Sequence, residues 1–233
     1  MFEKVSLRSA LDFAWQVFCD KLLFFVGSIV LAGGLCFSKL TLLDTISQRL
    51  FWGASIAGHV LGILVLILLQ IALFVLIIKS GLEYYEKGET NLGDLFTDYL
   101  PSLDFLLICL SYIGTMVLLG LMLFHGYILL VLPGLYLQVK SLFALYYVVD
   151  KEQDPIKALQ KSFYATDKKE LGLFFTLILF KALYSLLALI LFFGLVWESA
   201  FFIILGIVSA IVVIPLSLIG LGWIYKENLA KEE

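Results

Sequence analysis

The sequence of residues 171–195, LGLFFTLILFKALYSLLALILFFGL, decides the fold class of this chain, because Lys181 is its only charged residue. About 20 consecutive apolar residues are enough for a helix to cross the hydrocarbon core of a bilayer. Backbone polar groups must be paired internally in lipid, so such a stretch is expected to be helical. Five further apolar stretches predict an all-α integral membrane protein with six transmembrane helices; they lie at about residues 22–38, 54–79, 102–124, 126–149 and 199–225.

The composition agrees with a membrane protein and excludes other classes. Of the 233 residues, 62% are hydrophobic and 15% are charged, and the mean hydropathy is +1.03. A soluble domain is about half apolar and a quarter charged, and a disordered chain is poorer still in apolar residues. The net charge of −3 and the lack of basic runs with aromatic residues argue against a nucleic-acid partner. The three cysteines are scattered, which argues against a disulfide framework or a zinc site.

Positively charged side chains are distributed unevenly between the two sides of this topology. One side contains Lys4, Arg8, Lys21, Lys79, Lys87, Lys151, Lys157, Lys161, Lys168, Lys169, Lys226 and Lys231. The other side contains Lys39 and Arg49. Because Lys and Arg accumulate in cytoplasmic loops, both termini are predicted to be cytoplasmic. The first apolar stretch is expected to be a retained span rather than a cleaved signal peptide, since Asp12 and Asp20 precede it.

Three segments outside the spans, at residues 6–18, 91–100 and 154–166, have the periodicity of amphipathic helices. Their apolar positions are Leu7, Ala10, Leu11, Ala14, Trp15 and Phe18; Leu92, Leu95, Phe96, Tyr99 and Leu100; and Ile156, Leu159, Phe163 and Thr166. Each segment begins with a good N-cap residue, and these are Ser6, Asn91 and Asp154, the last followed by Pro155. Such helices are expected to lie in the cytoplasmic membrane interface. Each precedes two spans, which predicts three repeat-like units within one membrane domain, at about residues 6–80, 91–149 and 154–225.

A set of short motifs over about residues 80–175 resembles a known bacterial family. The motifs are LPGLY at 132–136, Lys140, Val149-Asp150, ALQKSF at 158–163, Gly88-Glu89 and LGDLF at 92–96. Together they resemble the YciC-like integral membrane proteins, and they are similar to the membrane domain attached to some glycerophosphoryl diester phosphodiesterases. The resemblance implies a multi-pass helical protein of the bacterial cytoplasmic (inner) membrane. The phosphodiesterase activity of the fused proteins resides in a separate barrel domain, so the resemblance implies no catalytic residues here.

Lys140 and Lys181 are the most unusual residues of the predicted spans. Both fall about 15 Å from the cytoplasmic interface if the spans are continuous, at a depth where a charged side chain is costly. In one interpretation the helices end earlier and the two lysines reach the interface along their own aliphatic chains. In the other, they face a shared cavity and bind an anionic headgroup, that of a phospholipid or a polyprenyl phosphate. Tyr136, Gln138 and Tyr184 are the nearby candidates to complete that site.

Pro133 and Gly134 interrupt the fourth predicted span and predict a kink there, because proline removes one helical hydrogen bond. The kink is interpreted either as static or as a hinge. A metal site formed by His59, His125, Glu198 and Asp44 is not expected, because their spacing lacks the helical repeat of zinc motifs. No cofactor is expected.

These observations favour a non-enzymatic accessory or scaffold protein that acts through its interfacial helices and through packing with the bilayer or another membrane protein. The alternative is a carrier or binder of a lipid-like anion that uses Lys140 and Lys181. An enzyme acting on lipids is a third, weaker possibility, because no nucleophile–base pair or paired carboxylates stand out.

Overall fold

The chain is helical throughout the part that the structure describes. This structure is a computed structural model that describes residues 7–50, 57–90, 92–129, 131–167, 170–196 and 200–228. Its elements are α1 (Leu7–Asp20), α2 (Leu22–Leu50), α3 (Ala57–Lys87), α4 (Leu92–Asp94, continued by a π-helical turn, Leu95–Tyr99), α5 (Leu103–Leu129), α6 (Val131–Lys140), α7 (Ala144–Lys151), α8 (Pro155–Thr166), α9 (Glu170–Val196) and α10 (Ala200–Asn228). The predicted all-α class is confirmed.

Three of the described helices contain a segment long and apolar enough to cross a membrane. The segments are Val60–Lys87 in α3, Leu103–Ile128 in α5 and Ile204–Glu227 in α10. A fourth candidate combines α1 with Leu22–Leu35 of α2, but the two parts meet at an angle of 89°. These helices are typical of a membrane-embedded protein. The count of six spans and the repeat-like units remain predictions.

Antiparallel neighbours along the chain pack against each other. Helix α2 packs on α3, α6 folds back along α5, and α9 packs on α10. Helix α10 also contacts α1 and α3, so it lies at the centre of the bundle. The core contains large aromatic side chains, and Tyr225 of α10 stacks on Tyr146 of α7 with ring centroids 5.9 Å apart. The Tyr146 hydroxyl donates to the Leu218 carbonyl oxygen at 2.8 Å, so the buried phenol is satisfied.

A polar layer joins several helices at one end of the bundle; it consists of Asp20, Tyr84, Glu86, Asp150 and Lys226. The Lys226 ammonium lies 2.5 Å from a carboxylate oxygen of Glu86 and 2.5 Å from one of Asp150. The Tyr84 hydroxyl donates to Asp20. The layer therefore holds the ends of α1, α3, α7 and α10 on the same side of the bundle.

The first amphipathic helix is built into this bundle. Ala10 and Ala14 of α1 are fully buried, and a Cβ atom on Gly220 of α10 would lie 3.6 Å from the Ala10 carbonyl oxygen and 3.8 Å from the Ala14 Cβ. Phe18 stacks on Phe25 at the bend between α1 and α2. The sequence pattern assigned these residues to a membrane-facing surface. The structure instead buries their side of α1 against the other helices, because small residues allow two helix backbones to approach closely.

The predicted fourth span, residues 126–149, is not one continuous helix. Helix α5 continues through Gly126 to Leu129, α6 ends at Lys140, and a turn at residues 141–143 separates α6 from α7. The apolar run gives no sign of this break. It is tolerated because a side chain from α8 binds the backbone groups that the break leaves free.

Candidate functional site

Helix α8 begins where the sequence places it. The Asp154 carboxylate accepts a hydrogen bond of 3.0 Å from the backbone N–H of Lys157, and Pro155 occupies the first turn. Two hydrogen bonds lower the pKa of the Asp154 carboxyl. The one from this N–H has the larger effect, and the one from the Lys157 side chain has the smaller effect. The predicted N-cap is therefore confirmed. The pyrrolidine ring of Pro155 packs on Gly114 of α5, which leaves no space there for a side chain.

The buried side of α8 holds the break between α6 and α7. The Ser162 hydroxyl donates to the Lys140 carbonyl oxygen at 2.7 Å and accepts from the Phe143 N–H at 3.2 Å. The Thr166 hydroxyl lies 3.4 Å from the same Lys140 oxygen. Ser162 and Thr166 are fully buried. Two short polar side chains thus replace part of the hydrogen bonding that a continuous helix would supply.

The Lys140 side chain forms an ion pair with Asp167, the residue that ends α8. Only 1% of the lysine side chain is exposed, whereas 60% of the Asp167 side chain is exposed. The ammonium also lies 5.3 Å from the centre of the Tyr136 ring, within the range of a cation–π contact. Sequence reasoning missed Asp167 because 27 residues separate it from Lys140. Only the return of α8 to the end of α6 brings the two together.

An open groove of about 610 Å³ lies beside this ion pair, between α5, α6 and α8. Its apolar wall includes Leu118 and Met122 of α5 together with Ile156, Leu159 and Phe163 of α8. These α8 positions are the ones that the amphipathic pattern predicted to be apolar. The groove is therefore mainly hydrophobic, with a cation and an anion in its lining.

The polar rim of the groove is formed by side chains from α6 and α8. Tyr136, Gln160 and Tyr164 line it together with Lys140 and Asp167. Tyr136 is 52% exposed and Tyr164 is 82% exposed. Phenol side chains with an apolar ring and a polar hydroxyl suit a boundary between hydrocarbon and water.

Gln138 and Tyr184, two other residues of the predicted lysine site, have hydrogen-bond partners elsewhere. The Gln138 side-chain oxygen accepts a hydrogen bond of 2.7 Å from the Tyr127 hydroxyl of α5. The Tyr184 hydroxyl of α9 forms a hydrogen bond with the Ser217 hydroxyl of α10. The side chain of Lys181 lies outside the described residues. Of the five candidates, the structure brings Lys140 and Tyr136 together.

Pro133 and Gly134 occupy a different setting from the predicted kink. Helix α6 begins at Val131, so Pro133 lies in its first turn, where a missing N–H breaks no helical hydrogen bond. Gly134 faces Gly126 and the Tyr127 ring of α5, and a Cβ atom there would clash with that ring. The kink or hinge at Pro133 and Gly134 stays a prediction. The structure shows an interruption at residues 141–143 and a close approach of α5 and α6 at Gly134.

A second cavity, of about 660 Å³, lies near the polar layer, and charged side chains of both signs line it. The hydroxyl of Tyr99 is buried beside it without a hydrogen-bond partner. Burial, and then the negative charge of Glu152, raise the pKa of Tyr99. The Lys79 ammonium lies 5.3 Å from the centre of the Tyr99 ring.

No group of three His, Cys, Asp or Glu side chains is placed to bind a metal ion within the part of the chain that the structure covers. The His125 ring nitrogen Nδ1 lies 2.6 Å from the Leu121 carbonyl oxygen. Glu198 and the side chains of Asp44 and His59 lie outside the described part of the chain. Comparison with protein-family models, curated proteins and solved structures gives no significant match.

Proposed function

We propose that this chain is a non-enzymatic, multi-pass protein of the bacterial cytoplasmic membrane that acts as a scaffold for another membrane protein. The observation that carries the proposal is the rigid attachment of the amphipathic helices α1 and α8 to the bundle. Both bury one side that includes small residues, and both keep large apolar or aromatic side chains exposed, including Trp15 and Tyr164. A rigid helix with exposed aromatic side chains is a suitable docking surface for lipid or protein.

The topology in this proposal has six spans with both termini cytoplasmic. The polar layer supports it, because three antiparallel helix pairs would bring Asp20, which precedes α2, and the ends of α3 and α10 to one side. Helix α6 alone measures about 15 Å and is too short to cross the bilayer. In this topology α6 and α7 together make the fourth crossing, and α8 packs beside their junction.

The family resemblance remains part of the proposal, and the positions of its motif residues support it. Gly134 permits the contact of α6 with α5, and Lys140 pairs with α8. Asp150 binds Lys226 of α10, while Ala158 and Ser162 form the buried side of α8. The residues that carry the resemblance therefore hold these helices together. Proteins that share these motifs would therefore share the same packing of helices.

Photo-crosslinking in native membranes tests the scaffold. A benzophenone amino acid replaces Trp15 of α1 or Lys157 of α8, whose side chain is 70% exposed. The matched control is Val65, an exposed residue in the apolar part of α3. We expect the same discrete protein adduct from both amphipathic helices and lipid adducts alone from Val65. Lipid adducts alone from all three positions would overturn the scaffold.

A second candidate function is the binding of a lipid-like anion, and the presence of Lys140 in the lining of a groove favours it. Against it, Asp167 already neutralises the lysine. An anion bound to Lys140 would also lie close to the Asp167 carboxylate, and like charges at short range repel each other. The scaffold is therefore the function that the geometry supports best.

A further inference from the structure

The groove between α5, α6 and α8 combines features that suit one class of ligand. It is open, it is mainly apolar, and its lining contains one cation and one anion in contact. We propose that it binds one phospholipid of the surrounding bilayer whose headgroup carries both a phosphate and a primary ammonium, as in phosphatidylethanolamine. This inference requires only that the protein is embedded in a membrane, and it does not depend on the proposed scaffold function.

The size and lining of the groove match the upper part of such a lipid. Its volume of about 610 Å³ lies within the range of small-molecule sites. Leu118 and Met122 of α5 face Leu159 and Phe163 of α8 across it and would contact an acyl chain.

The charge pattern selects the headgroup. The lipid phosphate would accept a hydrogen bond from the Lys140 ammonium, and the lipid ammonium would donate one to the Asp167 carboxylate. The pair would then become an alternating set of four charges in which each charge has an opposite neighbour. An anionic headgroup would leave the Asp167 carboxylate beside a negative group. A choline headgroup has no N–H to donate, so it would lose the hydrogen bond to Asp167.

The exposed position of Asp167 allows a lipid headgroup to reach the ion pair. Its carboxylate is accessible, whereas the lysine is buried, so the headgroup ammonium can reach Asp167 from the open side of the groove. Tyr136 and Tyr164 at the rim place hydroxyl groups at the same boundary. The amphipathic character of α8 orients its apolar residues toward lipid and its polar end toward water.

Competitive lipid retention tests the proposal. The full-length protein is reconstituted in nanodiscs that contain equal amounts of phosphatidylethanolamine, phosphatidylcholine and phosphatidylglycerol, and bound lipid is identified by native mass spectrometry. We expect one retained phosphatidylethanolamine, favoured over phosphatidylcholine by about tenfold, which is the usual effect of one hydrogen bond to a charged group. Equal retention of the three lipids, or preferential retention of phosphatidylglycerol, would overturn the proposal.

Three variants distinguish the contribution of the groove to lipid binding from that of the ion pair. Leu118→Trp fills the groove without touching either charge, so retained lipid is expected to fall to the background level. Met122→Trp serves the same purpose one turn away if the first variant does not fold. Asp167→Asn keeps an acceptor oxygen but removes the negative charge that would pair with the lipid ammonium and repel an anionic headgroup, so the ratio of phosphatidylethanolamine to phosphatidylglycerol is expected to fall about tenfold.

The matched control is Lys157→Met. Lys157 is also a lysine paired with an aspartate, at 2.9 Å from Asp154, but it lies at the other end of α8 and does not line the groove. Its replacement is expected to leave lipid retention unchanged. Retention that survives the groove-filling substitutions, or that falls equally in Lys157→Met, would contradict the assignment of the lipid to this groove.

Discussion

The hydroxyl of Ser162 donates a hydrogen bond of 2.7 Å to the backbone carbonyl oxygen of Lys140 across the interface between α8 and α6. The same oxygen atom of Ser162 accepts from the N–H of Phe143. One fully buried side chain therefore binds both sides of the turn that interrupts the predicted fourth span. A buried carbonyl oxygen or N–H without a partner is costly, so this hydroxyl is expected to stabilise the turn.

Ser162→Ala is expected to destabilise the protein by about 1–3 kcal/mol, because it leaves a buried carbonyl oxygen and a buried N–H without that partner. Thermal unfolding in detergent, followed by circular dichroism, measures the loss. Ser185→Ala is the control, since Ser185 is exposed on α9. An equal unfolding temperature for the two variants would mean that the turn does not depend on Ser162.

The ion pair between Lys140 and Asp167 predicts an asymmetric response to substitution. Asp167→Asn leaves the buried ammonium without its carboxylate and is expected to cost about 2 kcal/mol, less than in a fully buried pair because Asp167 is partly solvated. Lys140→Met in the same chain removes the unpaired charge, and the double variant is expected to recover most of the stability. A double-mutant cycle of unfolding free energies measures the coupling. Additive effects of the two substitutions would exclude a direct interaction.

The contact between Gly134 and Tyr127 predicts that a methyl group is not tolerated there. In Gly134→Ala the Tyr127 ring must move, which would break its hydrogen bond to Gln138, so we expect a loss of about 1–3 kcal/mol. Gly120→Ala in α5 is the matched control, because a Cβ atom at Gly120 meets nothing within 4 Å. The control is expected to be neutral or to stabilise the helix by up to about 1 kcal/mol. Similar unfolding temperatures for both variants would show that α5 and α6 do not require this close approach.

The sequence was sufficient for features that depend on neighbouring residues alone. The all-helical class follows from continuous apolar runs, and the start of α8 follows from Asp154 and Pro155. The ion pair of Lys140 could not be predicted, because it depends on α8 folding back to the end of α6. The break at residues 141–143 was missed for the same reason: its hydrogen-bond partner, Ser162, belongs to another helix. Pattern reasoning assigns surfaces to single helices and cannot tell which of them another helix will cover.

The turn between α5 and α6 provides a test of the proposed topology. Six spans with cytoplasmic termini place this turn on the outer side and the segment before α8 on the inner side. Ile128, which is 65% exposed at the turn, and Gln153, which precedes the N-cap of α8, are replaced one at a time by cysteine. The background lacks the three native cysteines. A membrane-impermeant maleimide is expected to label Ile128→Cys in intact cells and Gln153→Cys only after lysis. Protection of Ile128→Cys before lysis, combined with its labelling in detergent, would mean that the α5–α6 hairpin enters the bilayer without crossing it. The third and fourth spans would then not cross the bilayer. The two termini would still lie on the same side of the membrane.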